Sequence, residues 1–141
     1  MEATMKKSIT VENTVNAPVV KVWELWTNPN DITQWNHASD DWHSPYAEND
    51  VRPGGRFLFR MAAKDGSFSF DFSGTYDEVK PNQFLSYTID DGRKVEVHFT
   101  PTGNQTRIVE TFEAEDTNPV DMQRGGWQAI LDNFKKHAEK P

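Results

Sequence analysis

The chain of 141 residues is long enough for one domain that buries roughly 70% of the surface exposed by its unfolded form. It carries 22 acidic against 15 basic side chains, and this net charge of -7 argues against a nucleic-acid partner, because a phosphate backbone is bound by a positive surface. It has no cysteine, no apolar run near the ~20 residues that span a bilayer and no signal-peptide segment, so we expect a cytoplasmic protein without disulfides or integral membrane association.

The N-terminal part of the chain predicts a strand followed by two helices. Residues 8–15 alternate apolar and polar side chains, as a strand does. In "NAPVVKVWELWT" we expect Asn16 as the N-cap and Pro18 in the first turn of a helix. "NPNDITQW" predicts a short second helix or turn. The apolar positions predicted to face inward are Val19, Val22, Trp23 and Trp26 in the first helix, and Ile32 and Trp35 in the second.

Between Trp42 and Glu115 the pattern is that of strands joined by tight turns. "KDGS" and "DDGR" place glycine where a hairpin needs a positive φ, and "KPNQ" and "PTGN" predict two further turns. A two-residue turn at Asp65-Gly66 predicts the pairs Phe57–Gly74, Phe59–Phe72 and Met61–Phe70 on one face, and Arg60–Asp71 on the other. A ring beside the bare glycine shields it.

The second hairpin favours a three-residue loop, Asp90 to Gly92, with the glycine in the left-handed conformation. Its predicted inner face holds Leu85, Tyr87, Ile89, Val95, Val97 and Phe99. Its outer face includes His98, which we therefore expect at the surface. In the last strand, "QTRIVETFEAE", the adjacent Ile108 and Val109 leave the register open.

The C-terminal segment predicts a long helix with Asn118 as the N-cap, Pro119 at the first helical position and Asp121 in the first turn. Gly125 and Gly126 interrupt it at a cost of roughly 2 kcal/mol relative to alanine. We expect that cost to be offset by a close approach to the sheet, a bend, or room beside Trp127. The residues at helical spacing are Trp127, Ile130, Leu131, Phe134 and Ala138.

These elements predict a single α+β domain over residues 8–139, with flexible termini at 1–7 and 140–141. An antiparallel sheet of about seven strands with one apolar face needs a cover. The long amphipathic helix at the C-terminus supplies it. We expect a curved sheet wrapped around that helix, with the two short helices closing one end.

The order of elements resembles the START-like helix-grip (SRPBCC) superfamily. The segments that carry the resemblance are "NAPVVKVWELWTNPNDITQWN", "AENDVRPGGRFLFRM", "DGSFSFDFSGTYDEVKPNQFLSYT" and "GGWQAILDNF", and together they cover nearly the whole chain. They are most similar to the branch named after the activator of the heat-shock protein 90 ATPase. The co-chaperone of that name carries a separate N-terminal domain, for which we expect no room in this chain.

The resemblance implies an internal cavity, because relatives in the superfamily hold lipids, sterols or polyketides between the sheet and the long helix. Some relatives are aromatase/cyclases. For this chain we predict a small apolar or amphipathic ligand. The alternatives are a cyclase- or hydrolase-type enzyme that uses the same cavity, and a protein-interaction module that contacts a chaperone.

The chemical inventory predicts no catalytic residue, metal or cofactor. "HASDDWH" brings His37, Asp40, Asp41 and His43 into one loop, but without the spacing of known zinc patterns. No G-x-S-x-G nucleophile elbow or phosphate-binding loop is present in the sequence. Within the predicted cavity, the only titratable groups expected are tyrosines.

The aromatic stripe "SFSFDFSGTY" is predicted to be core at its turn end and cavity wall near Gly74. Simple packing of these rings against one another is the alternative. Ligand pockets are mostly apolar and aromatic, with a few polar groups that orient the ligand. The predicted cavity residues are Phe57, Phe59, Met61, Phe70, Phe72, Gly74, Tyr76, Tyr87, Val97, Trp127, Ile130 and Leu131.

Overall fold

The computed structural model describes residues 7–140, so the outermost parts of the predicted flexible termini lie outside it. The described chain has the predicted α+β helix-grip fold, in which one antiparallel sheet has the strand order β1-β7-β6-β5-β4-β3-β2. The elements are β1 (Ser8–Val15), α1 (Val19–Thr27), α2 (Pro29–Trp35), β2 (Trp42–Asn49), β3 (Arg56–Ala63), β4 (Ser69–Lys80), β5 (Phe84–Ile89), β6 (Lys94–Thr102), β7 (Gln105–Glu113) and α3 (Val120–Ala138).

The sheet is irregular at two places that increase its bend. The register between β2 and β3 shifts between His43 and Tyr46, next to Pro45, which cannot donate a ladder hydrogen bond. The register between β4 and β5 shifts between Tyr76 and Glu78. Bulges of this kind bend a strand and raise its twist. The concave face that results holds the apolar core.

Both hairpin registers are the predicted ones. Phe57 pairs with Gly74, and Arg60 pairs with Asp71, whose carboxylate accepts a hydrogen bond of 2.9 Å from the guanidinium. The first loop is longer than the predicted two residues, because regular pairing ends at Ala62 with Ser69. The second loop has the predicted three residues, with Gly92 at a φ of 95°.

The last strand, whose register the sequence left open, turns its even-numbered residues toward the core. Thr106, Ile108 and Phe112 are buried, whereas Val109 faces outward from the core. The same alternation buries Glu110. The inner faces of β5 and β6 are buried as predicted, from Leu85 to Phe99.

Helix α3 begins one residue later than predicted and α1 begins two residues later, each directly after a proline. Pro18 and Pro119 are the N-caps, and each has an extended ψ near 150° (153° and 147°). The predicted caps are therefore wrong: Asn16 donates its backbone N–H to Glu139, and the Asn118 amide donates to Glu115. Proline satisfies either the N-cap or the first helical position, because its φ is compatible with both.

Helix α3 packs its apolar side on the concave face of the sheet. Phe112 of β7 stacks on Trp127 with a centroid distance of 3.8 Å and an interplanar angle of 10°. Of the three explanations predicted for the two glycines, a close approach to the sheet is wrong, because a Cβ on Gly125 or Gly126 would meet no atom within 4 Å. Among residues 7–140, no helix is long and apolar enough to cross a membrane.

Candidate ligand-binding cavity

A cavity of about 250 Å³ lies between the concave face of the sheet and α3. Its wall is built largely from aromatic rings on β3, β4, β5 and the three helices. The lining residues are Trp26, Trp35, Asn36, Phe57, Phe59, Met61, Phe70, Phe72, Tyr76, Tyr87, Arg93, Glu110, Glu115, Trp127 and Ile130.

Phe57 is the centre of the aromatic wall. Its ring lies 5.0 Å from that of Phe59, 5.8 Å from Phe72 and 4.9 Å from Tyr87, measured between centroids. Alternation along β3 and β4 places these rings on one face, and the hairpin register brings them side by side. Trp127 of α3 closes the wall from above, with its ring 6.1 Å from that of Phe72.

The N-terminal helices close one end of the cavity through a tight aromatic cluster. The ring of Trp26 lies 5.1 Å from that of Trp35, and each of the two lies 4.9 Å from Phe134 of α3. The indole N–H of Trp35 donates to the carbonyl of Leu25 at 3.0 Å, so its polar atom is satisfied. Of the inward positions predicted for α1 and α2, Trp26 and Trp35 line the cavity and form this end wall.

The predicted cavity residues all line the cavity except Gly74, Val97 and Leu131. Val97 and Leu131 are fully buried in the core, at 0% exposure. The ring of Phe57 covers Gly74. The ring shields the backbone of the glycine and leaves no gap there for a ligand. The shielding by Phe57 was predicted correctly, and the placement of Gly74 in the cavity wall was wrong.

The turn end of the aromatic stripe is exposed, contrary to the prediction of a core. Phe68 is 59% exposed and Phe70 is 45% exposed, and both contact Trp42 edge-on at about 6 Å (6.1 and 6.0 Å). Phe68 precedes β4 and Phe70 lies at its beginning, so both rings stand at the solvent-exposed end of the hairpin. Since Phe70 also lines the cavity, the cavity reaches the surface at this point.

Glu110 is a buried carboxyl in the cavity wall, where the sequence predicted tyrosines alone. It is 6% exposed and pairs in register with Val11 of β1 and Val97 of β6, both of which are buried. Within residues 7–140 its carboxyl has neither a hydrogen-bond donor nor a salt-bridge partner. Burial alone raises the pKa of Glu110 to about 8, so the carboxyl is mostly protonated at neutral pH.

Comparison with known proteins places the fold in a family. The family model described as Activator of Hsp90 ATPase homolog 1-like protein matches residues 16–139. The chain belongs to this family. It is 44% identical to the AHSA1-like protein of Aeromonas hydrophila, over 94% of this chain and 92% of that one, with a TM-score of 0.89.

Two further solved structures are similar to this AHSA1-like chain. A protein of Cytophaga hutchinsonii is 55% identical over 94% of this chain and 92% of its own, with a TM-score of 0.81. Protein CV1439 of Chromobacterium violaceum is 20% identical over 96% and 99%, and its TM-score of 0.84 shows a shared fold alone. No curated protein matches the chain.

Two tyrosine hydroxyls of this AHSA1-like chain reach the cavity in different states. The hydroxyl of Tyr76 donates to Asn49 Oδ1 at 2.6 Å, whereas none of the described groups bonds the hydroxyl of Tyr87. Burial raises the pKa of both, and the nearby Glu110 raises that of Tyr87 further. Both phenols therefore stay neutral at ordinary pH.

Arg93 and Glu115 are the other charged residues of the lining. The Nε of Arg93 donates to Asp91 at 2.8 Å, and its side chain is 15% exposed. Glu115 Oε1 accepts from the backbone and the side chain of Asn118. Both residues lie in loops that follow strands. The alternation of inward and outward side chains along a strand therefore could not predict that they line the cavity.

The histidine- and aspartate-rich loop contributes no residue to the cavity. His37 Nε2 lies 3.0 Å from Asn133 Nδ2 of α3, and burial lowers the pKa of His37. Across the described residues 7–140, no three side chains of the metal-ligating type converge. His98 lies on the outer face as predicted, with its ring 4.7 Å from that of Phe84.

Proposed function

We propose that this protein binds a small hydrophobic or amphipathic ligand in the cavity between the sheet and α3. One observation carries the proposal: an aromatic cavity of about 250 Å³ contains polar groups that have no partner among the described residues. Buried polar groups are almost always satisfied, so unsatisfied ones in a cavity indicate a missing partner. Apolar walls with a few orienting polar groups are the usual composition of a ligand site.

The cavity volume limits the size of the ligand. An apolar cavity of ~150 Å³ holds one benzene ring, and sites for drug-sized ligands begin near ~300 Å³. A volume of about 250 Å³ therefore favours a compact ligand with one or two rings, or a short acyl chain, over a sterol. The half-exposed Phe70 at the mouth leaves room for a polar end of the ligand to reach water.

The test measures ligand-induced shifts of the tryptophan indole N–H resonances in a ¹⁵N-labelled protein. Trp26, Trp35 and Trp127 line the cavity, whereas Trp23 lies outside it and serves as an internal reference. A library of apolar ring and acyl compounds is expected to give saturable shifts of the first three signals. No saturable shift with any compound would overturn the proposal.

Phe72→Arg fills the cavity with a long side chain and is expected to abolish the shifts. The matched control is Phe84→Arg, because Phe84 lies on the outer face of β5 against His98 and does not line the cavity. Dispersed amide spectra of both variants check that the fold persists. Equal binding by both variants would place the ligand elsewhere.

A second candidate is an enzyme that uses the same cavity, and Glu110 is the observation that favours it. A carboxyl whose pKa is raised to about 8 by burial is suited to act as a general acid or base at neutral pH. The binding hits provide the substrates to test: turnover that is lost in Glu110→Gln while binding persists supports the enzyme. Unchanged ligands after prolonged incubation favour the binding protein.

A further inference from the structure

We propose that the ligand is a lipophilic amine or quaternary ammonium compound whose cationic head pairs with the carboxyl of Glu110. The inference rests on the proposed function, because it names the chemical class taken by the same cavity. Two independent features carry it: a carboxyl that is 6% exposed and unpaired, and the aromatic walls that enclose it.

The surroundings of Glu110 supply no partner for a negative charge. Val11 and Val97 flank it on the neighbouring strands, and both are at most 2% exposed. A carboxyl buried among apolar side chains is costly unless it is paired or hydrogen-bonded. A cationic ligand supplies the partner that the described chain does not.

The aromatic walls favour a cation over an anion. The faces of aromatic rings carry partial negative charge, and boxes of Trp, Tyr and Phe are the sites that proteins use for quaternary ammonium groups. Around this cavity the ring-bearing residues come from both sides, with Tyr87 and Phe57 on the sheet and Trp127 on α3. A carboxylate beside such aromatic rings carries a full negative charge, which further favours a cation.

The charged side chains of the cavity lining also favour a cationic ligand. Of the described side chains around the cavity, Glu110 and Glu115 are acidic and Arg93 alone is basic. Arg93 is already bonded to Asp91, whose carboxylate offsets its charge. The net charge of -7 further favours the approach of cations to the mouth.

Binding of a cation must be linked to the release of a proton. Burial raises the pKa of Glu110 to about 8, so at pH 7 about one carboxyl in ten is ionised and at pH 9 about nine in ten are. A permanently charged ligand should therefore bind about tenfold more tightly at pH 9 than at pH 7. The titratable and charged groups that face the cavity with Glu110 are Tyr76, Tyr87, Arg93 and Glu115. Burial raises the pKa of both tyrosines, so they stay neutral over this range.

The experiment compares phenyltrimethylammonium with tert-butylbenzene, which has the same shape and no charge. Dissociation constants are measured by the indole N–H shifts at pH 7, 8 and 9. We expect the ammonium compound to bind at least tenfold more tightly than the hydrocarbon at pH 9. We also expect calorimetry at pH 7 in two buffers of different ionisation enthalpy to report the release of nearly one proton.

Glu110→Gln removes the charge and keeps the shape of the side chain. It is expected to abolish both the preference for the ammonium compound and its pH dependence, while the hydrocarbon still binds. The matched control is Glu96→Gln, which makes the same change of net charge on the exposed outer face of β6, where the Glu96 side chain is 59% exposed. This control is expected to behave like the natural protein.

The outcomes separate the two proposals. Equal binding of both compounds, or an ammonium affinity that does not rise with pH, overturns the cationic ligand and leaves the proposed function standing. If a phenylalkyl carboxylate binds more tightly than the ammonium compound, and this binding depends on Arg93, the cationic ligand is likewise overturned and the proposed function stands. If neither compound nor any member of the apolar library binds, both proposals are overturned.

Discussion

The ring of Phe57 occupies the space that a side chain at position 74 would need. A Cβ built on Gly74 would lie 2.8 Å from Phe57 Cζ and 2.5 Å from the carbonyl oxygen of Thr88 on β5. The glycine thus lets β4 lie flat beneath the central ring of the aromatic wall. Phe57 holds Phe59, Phe72 and Tyr87 around it, so this contact supports the whole sheet side of the cavity.

Gly74→Ala is therefore expected to destabilise the protein by ~2 kcal/mol or more, as overpacking of a core does. Phe57→Leu in the same chain should recover only part of the loss, because the Thr88 oxygen is backbone and cannot move aside. Urea denaturation of the two single variants and the double variant measures the recovery. A Gly74→Ala variant as stable as the natural protein would contradict this contact.

Gly125→Ala is expected to have the opposite effect. Around Gly125 and Gly126 of α3 an added Cβ meets no atom within 4 Å, so the methyl group costs nothing in packing. Each substitution should stabilise the protein by up to ~1 kcal/mol, because alanine restricts the unfolded chain and favours the helix. Thermal and urea unfolding measure the gain. A loss of stability would show that α3 needs a glycine for a reason other than space.

Most of the fold could be predicted because local patterns agree with one another. Alternation along β3 to β6, with glycine at the turns, determines both hairpin registers, and the apolar spacing of α3 determines its buried face. The start of α1 was wrong by two residues and that of α3 by one, because the φ of Pro18 and Pro119 suits the N-cap as well as the first turn. The predicted close approach at Gly125 and Gly126 was wrong because spacing along α3 does not show what lies across from it, and no atom comes within 4 Å of an added Cβ there.

The residue that dominates the candidate site was missed for a physical reason. Ile108 and Val109 are adjacent, so β7 has an apolar residue on each face, and the correct frame places a glutamate in the core. The local sequence disfavours a register that buries a glutamate, but tertiary packing of β7 overrides that preference. The signal that could have decided the register is Phe112, which shares its face with Ile108, whereas the opposite face holds Arg107.

The two cavity tyrosines should respond differently to loss of their hydroxyls. Tyr76→Phe removes the 2.6 Å bond to Asn49, whose amide in turn donates to Thr27 at the end of α1. Leaving the partly buried Asn49 acceptor unpaired is expected to cost ~1–2 kcal/mol. Tyr87→Phe should cost almost nothing, because none of the described groups bonds its hydroxyl. Equal losses of unfolding free energy in the two variants would contradict the finding that the Tyr76 hydroxyl is hydrogen-bonded and the Tyr87 hydroxyl is not.

We expect Glu110 to lower the stability of the protein at neutral and alkaline pH. Its pKa is about 8 in the folded state against 4.5 ordinarily, so the folded state holds the proton more tightly than the unfolded state. Stability is therefore expected to fall as pH rises from about 4.5 to about 8 and to level off above. A carboxyl that destabilises its own fold is typical of a functional site.

Glu110→Gln is accordingly expected to gain stability over the natural protein as pH rises. The difference in unfolding free energy should grow by roughly 4 kcal/mol between pH 5 and pH 9, from the shift of about 8 against 4.5. Urea denaturation at pH 5, 7 and 9 measures it, and every other titrating group cancels in the difference. Glu96→Gln, on the exposed face of β6, should stay within ~1 kcal/mol of the natural protein at each pH, because its contact with His98 at 3.7 Å is a solvent-exposed ion pair. Parallel curves for Glu110→Gln and the natural protein would mean that the carboxyl is solvated or paired in solution.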